Sequence, residues 1–215
     1  MINAVLTGDL IASTQAGAGA TEAVMVRLRS LVEGIGCWNH EDLRFTRARG
    51  DGWQLAMTNA GSGLRAALII LAGLRATPNG PATRIAVGIG PVTTLGTLDL
   101  SDAHGEAFEA SGQALDRMKR RGQNLVFDGA DISLLHWAVV ALCDEIQGRW
   151  TAPQAEAMTL ALHPKNPTLA ELAATLGISP QAVNYRLRGA GLSALRSTLD
   201  QWEDAFVNHA LTGKW

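Results

Sequence analysis

The stretch TLAELAATLGISPQAVNYRLR, residues 168–188, carries the most specific pattern in this sequence of 215 residues. Thr168 and Glu171 have the spacing of a capping box, in which each side chain binds a free backbone N–H at a helix start. Gly177 follows the first apolar run, where a left-handed residue commonly ends a helix. The Ser-Pro pair at 179–180 supplies an N-cap and a proline in the first helical turn. The stretch therefore predicts a helix-turn-helix.

The second helix of this motif has an inner and an outer face. Val183 and Leu187 are expected to pack inward. Asparagine and glutamine can bond adenine edges, arginine can bond guanine or phosphate, and a small alanine lets a helix approach the groove. The pattern predicts a recognition helix for double-stranded DNA, with contacts from Ser179, Gln181, Ala182, Asn184, Tyr185, Arg186 and Arg188. A helical hairpin that binds another protein is the alternative.

The overall charge gives this interpretation little help. The net charge is −2, and residues 131–215 hold 6 basic and 8 acidic side chains. Between Leu172 and Leu199, however, there are three arginines, Arg186, Arg188 and Arg196, and no carboxylate. Because salt screens charges beyond about 10 Å, this local excess matters more than the total. One such module buries little surface, so we expect the protein to bind DNA as a homodimer.

The first 130 residues have a different texture, in which strand-like and helix-like segments alternate. Apolar runs predict strands at 4–6, 43–45, 53–57, 84–89 and 124–127, and helices at 22–35, 64–74 and 108–121. The order β-α-β-β-α-β predicts an α+β fold of the ferredoxin-like sandwich type. From residue 131 onwards strand patterns vanish, so we expect a sandwich domain at 1–130 and an all-α domain at 131–215. The helical part begins with an apolar stripe at Ile132, Leu135, Val139, Leu142 and Ile146.

Composition points to a cytoplasmic protein. Cys37 and Cys143 are far apart without metal-ligand spacing, which is typical of buried thiols in a reducing compartment. The longest apolar segment, residues 66–71, is much shorter than a bilayer span. We therefore expect no membrane association.

Four segments of the N-terminal half resemble a known family when taken together with the helix-turn-helix. They are TGDLIAS at 7–13, RGDGWQ at 49–54, RIAVGIG at 84–90 and GEAFEAS at 105–111. In this combination the chain resembles the SatD family, small bacterial proteins regarded as cytosolic regulators. More distantly, the same segments resemble class III nucleotidyl cyclases.

The cyclase resemblance implies a site for Mg²⁺ with a nucleotide. Asp9 and Asp51 match the two metal-binding aspartates, and the turn formed by Leu10, Ile11, Ala12 and Ser13 matches the segment that holds the triphosphate. Paired carboxylates attract a hard cation, and backbone N–H groups at a helix start favour phosphate. The alternatives are structural: Asp9 as a helix cap and Asp51 as a turn residue.

Two departures argue against catalysis. Where the cyclase helix has an asparagine and, four residues later, an arginine, this chain has Glu109 and Gln113. A carboxylate repels a triphosphate, and loss of a transition-state arginine usually costs several orders of magnitude in rate. We therefore expect a ligand-responsive transcription regulator that is not an enzyme. The alternatives are a metal-dependent nucleotide cyclase or hydrolase with an appended helix-turn-helix, and a non-catalytic protein-interaction module.

Overall fold

The computed structural model describes residues 2–39, 41, 43–48, 50–119, 122–130 and 132–212, with side chains up to residue 209. The N-terminal half contains β1 (Asn3–Leu10), α1 (Ser13–Ala16), α2 (Ala18–Asn39), β2 (Arg44–Arg47), β3 (Gly52–Met57), α3 (Gly63–Arg75), β4 (Thr83–Gly90), α4 (Glu106–Met118) and β5 (Leu125–Asp128). The C-terminal half contains α5 (Leu134–Gly148), α6 (Ala152–Ala161), α7 (Leu169–Leu176), α8 (Pro180–Gly189) and α9 (Leu192–Thr212).

Within the described residues, five strands form one sheet in the order β2-β3-β1-β4-β5. The first four pair antiparallel, with Leu6 of β1 between Leu55 of β3 and Val87 of β4. Strand β5 then adds parallel to β4, after the crossover through α4. The α+β class is confirmed, and the order β2-β3-β1-β4 is that of the predicted β-α-β-β-α-β arrangement.

The two faces of the sheet are covered by different helices. Ala4, Leu6 and Leu10 of β1 join the main apolar core with α2 and α3. The alternate residues of β1 point to the opposite face, where Val5 packs with Phe108 of α4. This alternation follows from the two-residue period of a strand. It places the carboxylate of Asp9 on the α4 side of the sheet.

The helical half packs directly on α3. Arg65 of α3, whose side chain is almost fully buried, bonds Glu203 and Asp200 of α9 and the carbonyl oxygen of Leu162. Among the described residues, one continuous apolar cluster includes Leu68 of α3 and Met158 of α6. In the described residues that follow β5, the regular elements are helices. The division into two domains stays a prediction, because the halves share a core.

The predicted stripe on α5 is wrong in part. Leu135 and Leu142 are exposed, whereas the same helix buries Val140, Cys143 and Gln147. An apolar residue lies on nearly every side of this helix, so periodicity alone could not identify its inner face. No helix in the described ranges is both long and apolar enough to cross a membrane.

Candidate functional site

The segment with the helix-turn-helix pattern forms two capped helices joined by a tight turn. Thr168 accepts a hydrogen bond from the N–H of Glu171 at 3.3 Å, and the Glu171 carboxylate accepts one from the N–H of Thr168 at 2.7 Å. The Thr168 hydroxyl also donates to this carboxylate at 2.8 Å. The bond from the Thr168 N–H and, second, the bond from its hydroxyl lower the pKa of Glu171. Gly177 takes a left-handed φ of 65° after α7. Ser179 then caps α8, accepting from the N–H of Ala182 at 3.2 Å.

Helix α8 has a buried and an open side. Val183 and Leu187 are buried, as predicted. On the open side, the exposed residues Gln181, Asn184, Tyr185 and Arg188 follow the i, i+3, i+4, i+7 spacing of one helix face. With Gln154 and Gly189 they line a concave surface. None of the four side chains has a hydrogen-bonding or ionic partner within the described ranges. We call these four residues the α8 face.

Three predicted DNA contacts, Ser179, Ala182 and Arg186, lie outside the α8 face. Arg186 is half-buried and donates to the carboxylate of Glu156 on α6 at 2.9 Å, so it does not belong to the α8 face. Ala182 is half-buried, and the exposed Ser179 uses its hydroxyl as a cap. Arg196, the third arginine of the local basic cluster, donates to the carbonyl oxygen of Ala161 at 2.9 Å. Of the three local arginines, Arg188 alone has no such contact among the described residues.

The second candidate region lies at the end of β1. The hairpin β2–β3 brings the chain around Asp51 next to that around Asp9, because Gly52 is opposite Asp9 in the sheet. The N–H of Leu10 donates to the carbonyl oxygen of Asp51 at 3.2 Å. The two aspartates predicted from the sequence therefore lie close together, at the ends of two paired strands.

Their carboxylates have separate partners. Asp9 accepts from Nε and Nη2 of Arg84 at 2.8 and 3.1 Å, and Nζ of Lys119 lies 3.4 Å from it. The Asp51 carboxylate accepts a short hydrogen bond from the hydroxyl of Ser13. Sequence reasoning missed both cations, since their proximity to Asp9 depends on the register of β4 and the placement of α4.

The predicted phosphate turn is partly occupied by the protein itself. The N–H groups of Leu10 and Ile11 donate to carbonyl oxygens of Asp51 and Ala82, at 3.2 and 2.7 Å. Ala12 has a left-handed φ of 56° and precedes the single turn of α1. Two of the four predicted N–H groups are thus unavailable to a phosphate.

The residues present do not fit a magnesium–triphosphate site in this arrangement. The charge of Asp9 is balanced by two cations, and no group of three His, Cys, Asp or Glu side chains with metal-binding geometry occurs among the described residues. Glu109 and Gln113 are exposed on α4. The roles of Asp9, Asp51 and the turn 10–13 in ligand binding stay predictions.

No family model matches the chain, and no curated protein matches it. Among solved structures, a bacterial light-regulated adenylyl cyclase is similar at 15% identity over 70% of this chain and 81% of that one, with a TM-score of 0.45. A second structure of a bacterial light-regulated adenylyl cyclase is similar at 20% identity over 59% of this chain and 43% of that one, with a TM-score of 0.45. The active GGEEF domain of a diguanylate cyclase from Vibrio cholerae is similar at 17% identity over 62% of this chain and 85% of that one, with a TM-score of 0.43. At these TM-scores the similarities decide neither family nor activity.

Proposed function

We propose that this chain is a DNA-binding transcription regulator whose helix α8 enters the major groove of double-stranded DNA. The observation that carries the proposal is the α8 face: four exposed polar or aromatic side chains on one side of a capped helix. Buried side chains on the opposite side hold that helix against α6 and α7. A recognition helix needs this combination, because its base contacts must be free while its backbone is held rigidly.

Each residue of the α8 face has a chemical role available to it. Gln181 and Asn184 can form paired hydrogen bonds with an adenine edge, and Arg188 can bond guanine or a phosphate. Tyr185 can donate its hydroxyl to a phosphate. Half-buried Ala182 lies on the same helix and leaves room for the groove wall.

The weak charge of this surface favours a homodimer. Arg186 and Arg196 are engaged by Glu156 and by a carbonyl oxygen, so Arg188 supplies the principal cation of the recognition helix. Affinity for DNA depends strongly on how many phosphates are neutralised. Two copies bound to two half-sites would double the contacts.

In this proposal the α+β half supports the regulator and does no chemistry. The ion pairs of Asp9 remove one of the two carboxylates that a catalytic metal would need. The resemblance of the segments at 7–13, 49–54, 84–90 and 105–111, together with the helix-turn-helix, to the SatD family supports the same interpretation. Regulation by a nucleotide that binds near Asp9 and Asp51 belongs to the proposal.

Fluorescence anisotropy with labelled genomic fragments tests DNA binding. We expect the variants Asn184→Ala and Arg188→Ala each to weaken specific binding about 5- to 150-fold, the range that corresponds to 1–3 kcal/mol for a good base contact. Arg27→Ala is the matched control, because it removes one exposed arginine from α2. Binding that is unchanged in both α8 variants would contradict the proposal.

Thermal melting tests the nucleotide part. A ligand that binds the folded state raises the melting temperature. We expect GTP or ATP, without added Mg²⁺, to raise the melting temperature of the wild type and not that of the double variant Asp9→Ala, Asp51→Ala. An equal shift in both proteins, or no shift in either, would contradict a nucleotide site at these aspartates.

A further inference from the structure

Gln154 of α6 lies at the edge of the α8 face and holds its side-chain amide in one orientation. Its Oε1 accepts the backbone N–H of Thr151 at 2.9 Å and the Thr151 hydroxyl at 3.2 Å. The N–H of Gln154 donates back to that hydroxyl at 3.4 Å, which completes the capping box of α6. Because the amide oxygen is committed to these donors, the direction of the NH₂ group is fixed as well.

The NH₂ group of Gln154 is directed to the surface that α8 leaves open. It lies beside Gly189, since a Cβ atom at position 189 would be only 2.7 Å from Nε2. Gln154 and Gly189 line the same concave surface as the four residues of the α8 face. Within the described ranges, no acceptor binds Nε2. The concave surface therefore includes an oriented hydrogen-bond donor that the protein itself does not use.

Arg186 holds α6 beside α8 at this point. Its guanidinium donates to the carboxylate of Glu156 at 2.9 Å and to the carbonyl oxygen of Pro153 at 3.4 Å. Pro153 and Glu156 lie on either side of Gln154 along α6. These contacts therefore fix the backbone of Gln154 relative to α8.

Gly189 leaves the space that the Gln154 amide occupies. It is the last residue of α8 and is not among the described glycines with a positive φ. Glycine is a poor helix former, so the backbone conformation gives no reason for it here. The close approach of Nε2 does give one, because any side chain at position 189 would displace the amide.

We propose that Gln154 is a further DNA-contacting residue, whose Nε2 donates to a phosphate oxygen at the wall of the major groove. The inference rests on the proposed function, because it takes α8 as the recognition helix. A helix in the major groove has base edges in front of it and sugar–phosphate backbones on both sides. Gln154 lies on a neighbouring helix at the edge of the α8 face, which places it towards a backbone. Glutamine is one of the neutral side chains that bond phosphates.

The variant Gln154→Glu separates this contact from the capping box. Glutamate keeps the box, because its carboxylate can accept the same two bonds from Thr151. It has no N–H to donate, however, and it repels a phosphate. By fluorescence anisotropy we expect at least the loss of affinity, about 2- to 12-fold, that corresponds to one neutral hydrogen bond. The melting temperature should be unchanged or higher.

Gln113→Glu is the matched control for the added negative charge. Gln113 is an exposed residue of α4 in the α+β half, outside the concave surface. Because salt screens distant charges, this variant should change the affinity for DNA by no more than about 2-fold. An equal loss in Gln113→Glu and Gln154→Glu would show that charge alone is responsible and would overturn the inference.

Two labelled DNA fragments distinguish a phosphate contact from a base contact. One is the genomic fragment that the wild type binds most tightly, and the other has the same length and an unrelated sequence. Gln154→Glu should weaken binding to both by the same factor, whereas Asn184→Ala should weaken mainly the specific complex. A loss for Gln154→Glu that is confined to the specific fragment would contradict the phosphate contact.

Gly189→Ala tests the position of the amide. The added methyl group should displace Nε2, which is the free end of a flexible side chain, so the melting temperature should not fall. Binding to DNA should weaken. In a Gln154→Ala background the methyl group has no amide to displace and should cause no further loss. An equal loss in both backgrounds would show that the methyl group acts by itself, against the inference.

The same titrations separate this inference from the proposed function. If Asn184→Ala and Arg188→Ala lose affinity and Gln154→Glu does not, Gln154 makes no contact and the recognition helix stands. If Gln154→Glu loses affinity and melting temperature together, its role is structural and the inference is wrong. A wild type that binds neither fragment would contradict the proposed function and the contact that rests on it.

Discussion

Gly88 in the middle of β4 shows how one residue controls a layer of the fold. Helix α4 crosses the sheet so closely there that a Cβ atom at position 88 would lie 2.0 Å from the carbonyl oxygen of Ala107 and 2.6 Å from the N–H nitrogen of Ser111. Both are helix backbone atoms, which cannot move without shifting α4. Ser111 also bonds Thr7 of β1 at 2.8 Å, so this contact helps hold the helix on the sheet.

We predict that Gly88→Ala lowers the free energy of unfolding by about 2–3 kcal/mol through overpacking. The control is Gly112→Ala in α4, where an added Cβ would meet no atom within 4 Å. That change should be neutral or should stabilise the helix by up to about 1 kcal/mol. Urea denaturation compares the two variants, and equal effects would show that α4 does not sit tightly on Gly88.

The two cysteines make a second prediction at this scale. Burial, with a smaller effect of Asp144, raises the pKa of the Cys143 thiol from 9.0 to about 11, whereas Cys37 is exposed. Because the thiolate is the reactive form, we expect a disulfide reagent at pH 8 to label Cys37 rapidly and Cys143 only on unfolding. In Cys37→Ser the rapid phase should disappear, and its persistence would contradict the burial of Cys143.

The same shift sets a dependence of stability on pH. The folded state favours the protonated Cys143 thiol, so its contribution is complete below about pH 9 and is lost as the pH rises towards 11. Cys143→Ala should remove this component of the alkaline loss in thermal melts between pH 8 and pH 11.

At the scale of single elements, the two arginines of α8 have different surroundings. Arg186 turns back to Glu156 of α6, whereas Arg188, two residues later, points away from the protein core. A step of two residues turns a helix by just over half a turn, which separates the two side chains. Two identical side chains therefore differ in exposure and in their contacts.

This division predicts different salt dependences. If Arg188 binds a phosphate, Arg188→Ala should reduce the slope of log affinity against log salt concentration by about 1. Arg186→Ala should leave the slope unchanged and cost about 0.2–1 kcal/mol of stability, as for a partly exposed ion pair. Anisotropy titrations at several salt concentrations provide the measurement. A smaller slope for Arg186→Ala and an unchanged slope for Arg188→Ala would contradict this prediction.

At the scale of the whole molecule, Arg65 joins the α+β half to the helical half. Its guanidinium donates to Glu203 at 2.6 and 2.9 Å, to Asp200 at 3.0 Å and to the carbonyl oxygen of Leu162 at 3.1 Å. Burial by itself lowers the pKa of Arg65, but the hydrogen bonds and charges of Glu203 and Asp200 outweigh that effect and raise it. The Arg65 side chain therefore stays charged inside the junction. Removing one of its acidic partners is expected to lower the free energy of unfolding.

We predict that Glu203→Gln destabilises the protein by about 2 kcal/mol, less than complete loss of a buried pair because Asp200 remains. Asp200→Asn should cost at most about 1 kcal/mol, since the Asp200 side chain is 56% exposed and that of Glu203 only 28%. Urea denaturation should show one transition for the wild type, as expected for a shared core. Equal losses in the two variants would show that Glu203 has no special role at the junction.

Local patterns in the sequence determined the elements of this protein and much of its α8 surface. The capping box at Thr168, the turn at Gly177 and the spacing of Val183 and Leu187 each depend on residues within one or two helical turns. The order of strands and helices along the N-terminal half followed from the alternation of apolar segments, and the exposed polar residues of α8 followed from its apolar side. These features are encoded by neighbouring residues, so they can be predicted from one sequence.

Only the tertiary structure decided which partners distant side chains have. It placed Arg84 and Lys119 on Asp9, turned Arg186 towards Glu156, and left Leu135 and Leu142 of α5 uncovered. Each of these contacts depends on strand register or on the packing angle of one element against another. Such geometry results from the packing of the whole chain, and no short stretch of sequence encodes it.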